Sequence, residues 1–100
     1  MAGKKIVVTG ANGLLGQELK RFLDFIPLTH KDCDVTDYDQ VERIFRKIKP
    51  DITVHLAAVT TVVEASEHPR RAYQVNVEGT HNVALNSKHL IYLSTDYVFD

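Results

Sequence analysis

Residues 5–16 read KIVVTGANGLLG, and this stretch decides the fold of the chain. Its apolar, β-branched start predicts a buried parallel strand over residues 4–9, and its leucines begin an amphipathic helix. Gly10, Gly13 and Gly16 stand between strand and helix. In such a turn the first glycine permits a tight bend, the second lets the backbone approach a pyrophosphate, and the third lets the helix pack closely on the strand. The stretch therefore predicts a strand, turn and helix whose free amides receive a phosphate.

Length and composition indicate one small globular domain over residues 1–100. The chain is 44% hydrophobic and 25% charged, with a formal net charge of −1. That balance gives no electrostatic case for binding nucleic acid or a membrane surface, for which a strongly basic face is expected. No apolar run approaches the ~20 residues of a membrane span, and the chain leads into its first strand without a cleavable signal segment. We therefore expect a cytoplasmic protein.

Cysteine and histidine usage argues against redox and metal chemistry. Cys33 is the only cysteine, so an internal disulfide is ruled out, and we expect a passive small residue rather than a nucleophile. The five histidines never stand at the i, i+3 or i+4 spacing that places two ligands on one helix face. The sequence therefore predicts no metal site.

The first helix carries an apolar stripe that leads towards a second strand, predicted over residues 25–28. The stripe follows the spacing i, i+4, i+7 and i+8 and consists of Leu15, Leu19, Phe22 and Leu23. Only Asp24 separates it from the strand, whereas such connections commonly need about 2 to 6 residues. Two explanations stay open: the helix ends early, near Lys20, or this part of the chain is shortened.

A second helix is predicted from both its ends and its apolar face. Thr36 or Asp37 stands at the N-cap, with Asp39 or Gln40 three residues further on, as in a capping box. The apolar face follows helical spacing and consists of Val41, Ile44, Phe45 and Ile48. Pro50 ends the helix.

The rest of the chain continues the alternation of strand and helix. A β-branched run predicts a third strand over residues 51–57, and residues 90–94 predict a fourth. Between them Pro69 suits the first turn of a third helix, which runs towards Asn86. Gly79 lies inside this helix at a cost of about 1 kcal/mol relative to alanine, so we expect it to serve close packing or close approach of a ligand.

This alternation predicts an α/β fold of the Rossmann type, a doubly wound parallel sheet with helices on both faces. By analogy with dinucleotide folds we expect the strand order 3-2-1-4. Ligands of such sheets bind outside the carboxyl ends of the strands. The polar segments that follow the predicted strands are residues 9–16, 29–35, 57–61 and 94–97. Their convergence on one edge favours a nucleotide site there.

The residues after the second strand favour NADP over NAD. Thr29, His30 and Lys31 offer hydrogen-bond donors and a positive charge, which suit a ribose 2′-phosphate. The alternative is that Lys31 is a solvated loop charge. Asp34 lies too far past the strand to hold a ribose hydroxyl, and it either accepts a hydrogen bond from an adenine amino group or serves as a loop or capping carboxylate.

Further positions carry similar alternatives. Ala57 and Ala58 are small, which suits either a cofactor lying across the strand ends or an ordinary core. Asn76 is polar on an otherwise apolar helix side, where a satisfied buried amide is the competing interpretation. Thr95 follows the fourth strand without a histidine placed for a hydrolase triad, so a hydroxyl that hydrogen-bonds a substrate carbonyl fits better than a nucleophile.

Several segments resemble the N-terminal part of the dTDP-4-dehydrorhamnose reductases, which are extended short-chain dehydrogenase/reductases. They are residues 8–16 (VTGANGLLG), 34–37 (DVTD), 56–58 (LAA), 73–80 (YQVNVEGT) and 94–100 (STDYVFD). The resemblance spans the whole chain, and the last segment separates this family from other sugar-nucleotide epimerases and reductases. It implies an oxidoreductase that reduces the C4 ketone of dTDP-4-dehydro-L-rhamnose, a nucleotide sugar, with NADPH, and NADH as the alternative cofactor.

The resemblance also implies roles for individual residues. The pyrophosphate would be held by Gly10, Asn12, Gly13, Leu14, Leu15 and Gly16. Asp34 and Val35 would border the adenine. The cofactor would be lined further by Ala57, Ala58 and Thr60, and by Asn76, which would match the asparagine that shapes the active site. Thr95 would bind the reacting carbonyl, and Asp96 and Tyr97 would begin the substrate pocket. The oligomeric state stays open, with a homodimer as one alternative.

Departures from the family pattern leave alternatives open. The tyrosine and lysine of the Y-x-x-x-K motif are expected beyond Asp100, together with the substrate domain, so we expect the 100-residue chain alone not to complete catalysis. Val63 and Glu64 stand where the family commonly has Asp-Lys, and the chain is shorter than the pattern near Asp24 and Asn86. The alternatives are a noncatalytic nucleotide-binding regulatory subunit of the same fold and a truncated scaffold that binds nothing.

Overall fold

The computed structural model describes residues 3–56, residue 70 and residues 74–93. The strands are β1 (Ile6–Thr9), β2 (Ile26–Leu28), β3 (Ile52–His55) and β4 (Leu90–Tyr92). The helices are α1 (Leu14–Leu19), α2 (Tyr38–Ile48) and α3 (Thr80–Leu85), and a π-helical segment (Gln74–Gly79) directly precedes α3. This alternation confirms the predicted α/β class.

The strands form a parallel sheet in the order β2-β1-β3-β4. The predicted order 3-2-1-4 is wrong, because β3 pairs with β1 rather than with β2. Pro27 stands in the middle of β2, opposite Val8. Proline has no N–H to donate to a ladder, so a strand that contains it belongs at the edge of a sheet. The chain therefore crosses from β2 to the far side of β1, and the strand order reverses between β1 and β3.

Helices cover both faces of the sheet, as predicted for a doubly wound fold. On one face α1 packs Leu15 and Leu19 against a core of Val8, Ala11, Val54 and Leu56. On the other face α2 and α3 enclose a core of Val7, Leu28, Cys33, Val35, Val41, Phe45 and Val83. Val7 and Val8 are both fully buried, on opposite faces, which is why β1 has a continuous apolar run.

The first helix ends early, so that explanation of the tight connection to β2 is confirmed. α1 stops at Leu19, with Lys20 as its C-cap. The N–H groups of Arg21 and Phe22 donate to carbonyls three residues back, which tightens the last turn. Phe22 is 79% exposed, so the predicted apolar stripe is wrong beyond Leu19.

The second helix forms where the sequence predicts it. Asp37 is the N-cap, and its carboxylate accepts from the N–H of Gln40 at 3.2 Å. The capping box is incomplete, because the side chain of Gln40 accepts from the N–H of Asp34 at 2.6 Å instead of returning to Asp37. Lys49 ends the helix in the left-handed region, with a φ of 55°, directly before Pro50.

Replacing Asp37 with alanine is expected to lower the free energy of unfolding by about 1 kcal/mol, because the N-cap carboxylate satisfies an open amide of the first turn. Urea unfolding followed by circular dichroism measures the change. Asp39→Ala is the matched control, since Asp39 is an exposed acid in the same turn that does not form the cap. Equal losses in the two variants would assign the effect to the helix dipole instead.

The third helix is confirmed over residues 74–85, as the π-helical segment followed by α3. Its predicted start at Pro69 lies outside the described residues. Gly79 is buried at the junction of the two parts, as expected for close packing. Within the described ranges, the helices are too short or too polar to cross a membrane.

Candidate functional site

The turn after β1 holds the predicted pyrophosphate residues in a tight bend. Gly10 has a φ of +66°, in the left-handed region that favours glycine. The N–H of Gly13 donates back to the carbonyl of Gly10 at 3.2 Å. The side-chain amide of Gln17, on α1, donates to the carbonyl of Asn12 at 3.1 Å. The bend therefore depends on glycine at position 10 and is braced from the helix that follows it.

Gly16 and Gly13 differ in the room around them. A Cβ on Gly16 would overlap the backbone of Ala11, at 2.6 Å from its carbonyl carbon and 2.7 Å from its Cα. A Cβ on Gly13 would meet only the carbonyl oxygen of Gly10, at an ordinary 3.6 Å. Gly16 is thus required for packing α1 onto the turn, whereas the protein itself leaves space beside Gly13.

The first turn of α1 presents open hydrogen-bond donors. Its N-cap, Gly13, offers no side chain, and the N–H groups of Leu14, Leu15 and Gly16 find no acceptor among the residues that the structure describes. This turn contains no acidic side chain. Leu14 is 86% exposed, so an apolar side chain stands in solvent beside these donors. A row of free amides at the positive end of a helix is suited to an anion.

Backbone hydrogen bonds place this turn between the ends of the neighbouring strands. The N–H of Ala11 donates to the carbonyl of Leu28, at the end of β2, at 3.4 Å. The N–H of Leu56, just after β3, donates to the carbonyl of Thr9 at 3.2 Å. The carboxyl ends of β1, β2 and β3 therefore meet at one edge, as predicted. The site residues that lie outside the described part are Ala57, Ala58, Thr60, Thr95, Asp96, Tyr97 and the side chain of Asn76.

The turn after β2 is closed by Asp32. Its carboxylate accepts from the backbone N–H of Thr29 at 2.9 Å and from the Thr29 hydroxyl at 3.1 Å, and these hydrogen bonds lower the pKa of Asp32. The Thr29 donors that the sequence offered to a phosphate are therefore already engaged. His30 and Lys31 are exposed on this turn, and within the described ranges their side chains contact no hydrogen-bonding or charged partner.

Asp34 braces the segment that leads into α2. Its Oδ1 accepts from the N–H of Thr36 at 3.0 Å and from the Thr36 hydroxyl at 2.7 Å. This is the loop-carboxylate role, one of the two alternatives for Asp34, and the adenine contact stays a prediction. Val35 packs its side chain into the core, while its carbonyl accepts from the side chain of Asn82 at 2.9 Å. The segment is thereby tied to α3.

Cys33 is buried in the core beneath this segment. Burial, with the nearby carboxylates of Asp34, Asp32 and Asp37, raises the pKa of the Cys33 thiol to about 11. Because the thiolate is the reactive form, this thiol is inert near neutral pH, in agreement with the passive role predicted for it. The described residues include no group of three or more His, Cys, Asp or Glu side chains arranged to hold a metal ion.

A hydrogen-bond network of buried polar side chains at the end of β3 was not predicted from the sequence. His55 is fully buried, with Nδ1 2.7 Å from the hydroxyl oxygen of Thr9 and Nε2 3.0 Å from that of Thr80. Its ring lies 5.5 Å from that of Tyr92. Burial lowers the pKa of His55 to about 4, so the imidazole is neutral at physiological pH. The one sequence signal was a histidine in an otherwise apolar and β-branched strand.

Comparison with known proteins gives a consistent set of matches. The family model described as RmlD substrate binding domain matches residues 4–100. The chain is 38% identical to the spore coat polysaccharide biosynthesis protein SpsK of Bacillus subtilis (strain 168), over 96% of this chain and 37% of that protein. It is 37% identical to a dTDP-4-dehydrorhamnose reductase of Mycolicibacterium smegmatis, over 96% of this chain and 32% of that protein.

Solved structures give the same relationship. The fold is similar to a dTDP-4-dehydrorhamnose reductase of Bacillus anthracis crystallised in complex with NADP, with a TM-score of 0.78 and 36% identity. That match covers 83% of this chain and 31% of the other. The chain thus spans about a third of the length of the curated relatives it matches.

Proposed function

Because the chain belongs to the RmlD substrate binding domain family, we propose that it forms the cofactor-binding part of an NADPH-dependent dTDP-4-dehydrorhamnose reductase. The reaction proposed for the full-length protein is reduction of the C4 ketone of dTDP-4-dehydro-L-rhamnose, a nucleotide sugar. In this proposal residues 1–100 act as the dinucleotide-binding domain. Catalysis would also require the segment that carries the tyrosine and lysine of the family.

The observation that carries the proposal is the open row of amides at the start of α1. The N–H groups of Leu14, Leu15 and Gly16 lie in a bend formed by Gly10, and no acidic side chain in that turn competes for them. A pyrophosphate supplies the acceptors and the negative charge that such a row favours. The NADP bound to the similar Bacillus anthracis reductase supports this assignment.

The remaining roles follow the strand ends. We assign the pyrophosphate to Gly10, Asn12, Gly13, Leu14, Leu15 and Gly16. The adenine would lie beside Asp34 and Val35, where the segment held by Thr36 and Asn82 is fixed against the core. The rest of the cofactor would follow Ala57, Ala58, Thr60 and Asn76.

Substrate contacts are assigned to the end of the fourth strand. NADPH, when bound, supplies the hydride for ketone reduction. The Thr95 hydroxyl would donate a hydrogen bond to the reacting carbonyl, which orients it and draws charge towards its oxygen. Asp96 and Tyr97 would begin the pocket for the sugar nucleotide.

The choice between NADPH and NADH depends on the turn after β2. His30 and Lys31 are exposed on this turn and would meet a 2′-phosphate in this proposal, whereas the Thr29 donors are already bonded to Asp32. The Asp32 carboxylate also places a negative charge on the same turn. We therefore propose that NADPH is preferred through Lys31 and His30, and that the preference is modest.

Titration with NADPH and NADH, followed by nucleotide fluorescence, tests the proposal. NADPH is expected to bind more tightly, and Lys31→Ala to weaken NADPH about fivefold while leaving NADH unchanged, as for the loss of one exposed charge pair worth about 1 kcal/mol. Lys47→Ala is the matched control, because Lys47 is exposed in the last turn of α2. Failure of both nucleotides to bind at millimolar concentration would refute cofactor binding, and tighter binding of NADH would refute the role of Lys31.

A further inference from the structure

His55 joins two segments that flank the proposed dinucleotide site. Thr9 is the last residue of β1 and directly precedes Gly10, and Thr80 is the first residue of α3, directly after the π-helical segment. The imidazole contacts both hydroxyls, at 2.7 Å from Thr9 through Nδ1 and at 3.0 Å from Thr80 through Nε2. It therefore spans the gap between the turn over residues 10–16 (the phosphate turn) and the start of α3.

Both ring nitrogens of His55 have a hydroxyl partner. Oγ1 of Thr9 accepts from the N–H of Leu56 at 3.2 Å and shares a second hydrogen bond with Nδ1 of His55. Nε2 shares a hydrogen bond with Oγ1 of Thr80. In the neutral ring one nitrogen donates and the other accepts, and because a hydroxyl can take either role, both nitrogens are satisfied and the orientation of the ring is fixed.

His55 is too deeply buried to touch a ligand. None of its surface is exposed, and its ring packs beside Tyr92. An apolar side chain at this place would need no partners, whereas a buried imidazole costs free energy unless its nitrogens are bonded. The residue is therefore explained by the two hydroxyls that it holds.

We propose that His55 is a positioning residue of the dinucleotide site, which fixes the phosphate turn relative to the π-helical segment through Thr9 and Thr80. The inference rests on the proposed function, because it concerns the geometry that the turn offers to a nucleotide. Losing the link to Thr80 leaves the sheet intact but releases the His55 ring, and with it the side chain of Thr9 directly before Gly10. The amides of α1 then converge less well on one anion.

Conservative variants separate this role from general stability. Thr80→Val removes the hydroxyl partner of His55 Nε2 with almost no change of shape, and Thr80→Ser restores it. His55→Asn keeps a carbonyl oxygen near the position of Nδ1 but loses the reach to Thr80. Thr53→Val is the matched control, because Thr53 lies on the same strand, is fully buried, and has a hydroxyl without a partner in the described structure.

Two measurements on the folded protein decide the question: the Kd for NADPH and the amide resonances of Gly10 and Gly13 without nucleotide. Thr80→Val and His55→Asn should each raise Kd about fivefold, as for one lost neutral hydrogen bond, and the double variant should raise it no further. Both should move the two amide resonances. Thr80→Ser and Thr53→Val should match the wild-type protein in both readouts.

Unmoved Gly10 and Gly13 resonances in Thr80→Val, or additive losses in the double variant, would overturn the inference. Failure of the wild-type protein to bind NADPH would instead refute the proposed function. The resonances of the nucleotide-free variants would then still decide whether His55 positions the turn.

Discussion

Replacing Gly16 with alanine will lower the free energy of unfolding by about 3 kcal/mol and abolish measurable NADPH binding. The added Cβ would lie 2.6 Å from the carbonyl carbon of Ala11 and 2.7 Å from its Cα. Those atoms are backbone, so no side-chain rotation relieves the overlap, and either α1 tilts away from β1 or the turn opens. Both movements displace the amides at the start of α1, so the fold and the proposed phosphate site are weakened together.

Gly13→Ala is the matched variant, because it separates packing from nucleotide approach. Its Cβ would meet only the Gly10 carbonyl oxygen at 3.6 Å, and the φ of Gly13 is −80°, which alanine adopts freely. The free energy of unfolding should therefore change by at most about 1 kcal/mol, as for alanine in place of glycine at an N-cap. NADPH should still bind about tenfold more weakly, because the methyl group occupies the approach of the pyrophosphate.

Urea unfolding and nucleotide titration of the two glycine variants give independent results. A free energy of unfolding for Gly16→Ala within about 0.5 kcal/mol of wild type would contradict the close packing of α1 on Ala11. An unchanged NADPH affinity in Gly13→Ala would contradict the pyrophosphate assignment, whatever the stability of either variant.

Local signals predicted the elements of this fold well. The glycine spacing identified the bend at Gly10 and the contact at Gly16, since both follow from backbone sterics within a few residues. The cap at Asp37 was predicted for a similar reason, because its carboxylate bonds an amide three residues away. The doubly wound class followed from the alternation of strand and helix, since parallel strands need crossovers.

The strand order and the length of α1 were harder to predict from the sequence, because they depend on contacts between elements. Pro27 is a sequence signal for an edge strand, but the order was predicted by analogy with other dinucleotide folds alone. Phe22 fits the helical spacing, but spacing alone does not say whether the chain has already turned away, and the structure leaves the side chain exposed.

For the polar residues too, the local segment could be predicted from the sequence, whereas contacts between distant residues could not. Sequence placed Asp34 and Lys31 on the correct segments but left their roles open, because a carboxylate that caps a loop and one that faces a ligand look alike in sequence. The link from His55 to Thr9 and Thr80 joins residues 46 and 25 positions apart, and no local pattern reports such a contact.

Acidification from pH 6.5 to pH 4 will remove about 3 kcal/mol of stability through His55. Desolvation lowers the pKa of His55 from 6.5 to about 4 in the folded protein, whereas the unfolded chain keeps the ordinary value. Between these values the unfolded state binds a proton that the folded state does not bind, so the free energy of unfolding falls as the pH falls. At higher pH the ring is neutral in both the folded and the unfolded state, so His55 does not contribute to the pH dependence of the free energy of unfolding.

Asp51 and Asp32, the two carboxylates of the described residues whose pKa values are lowered, act mainly below this window. Hydrogen bonds from Lys5 and Thr29 hold the pKa of Asp51 and of Asp32 below the ordinary 3.8, so the stability that these groups contribute is lost only as the pH falls further. The asparagine of His55→Asn does not titrate. The free energy of unfolding of this variant, measured with urea, should therefore change little between pH 6.5 and pH 4, where that of the wild type falls. A slope as steep as that of the wild type in this variant would assign the acid sensitivity to other groups. Ring resonances give a second readout in the native protein: because protonation would leave a charge buried between two hydroxyls, the His55 imidazole should stay mostly neutral until the pH approaches about 4.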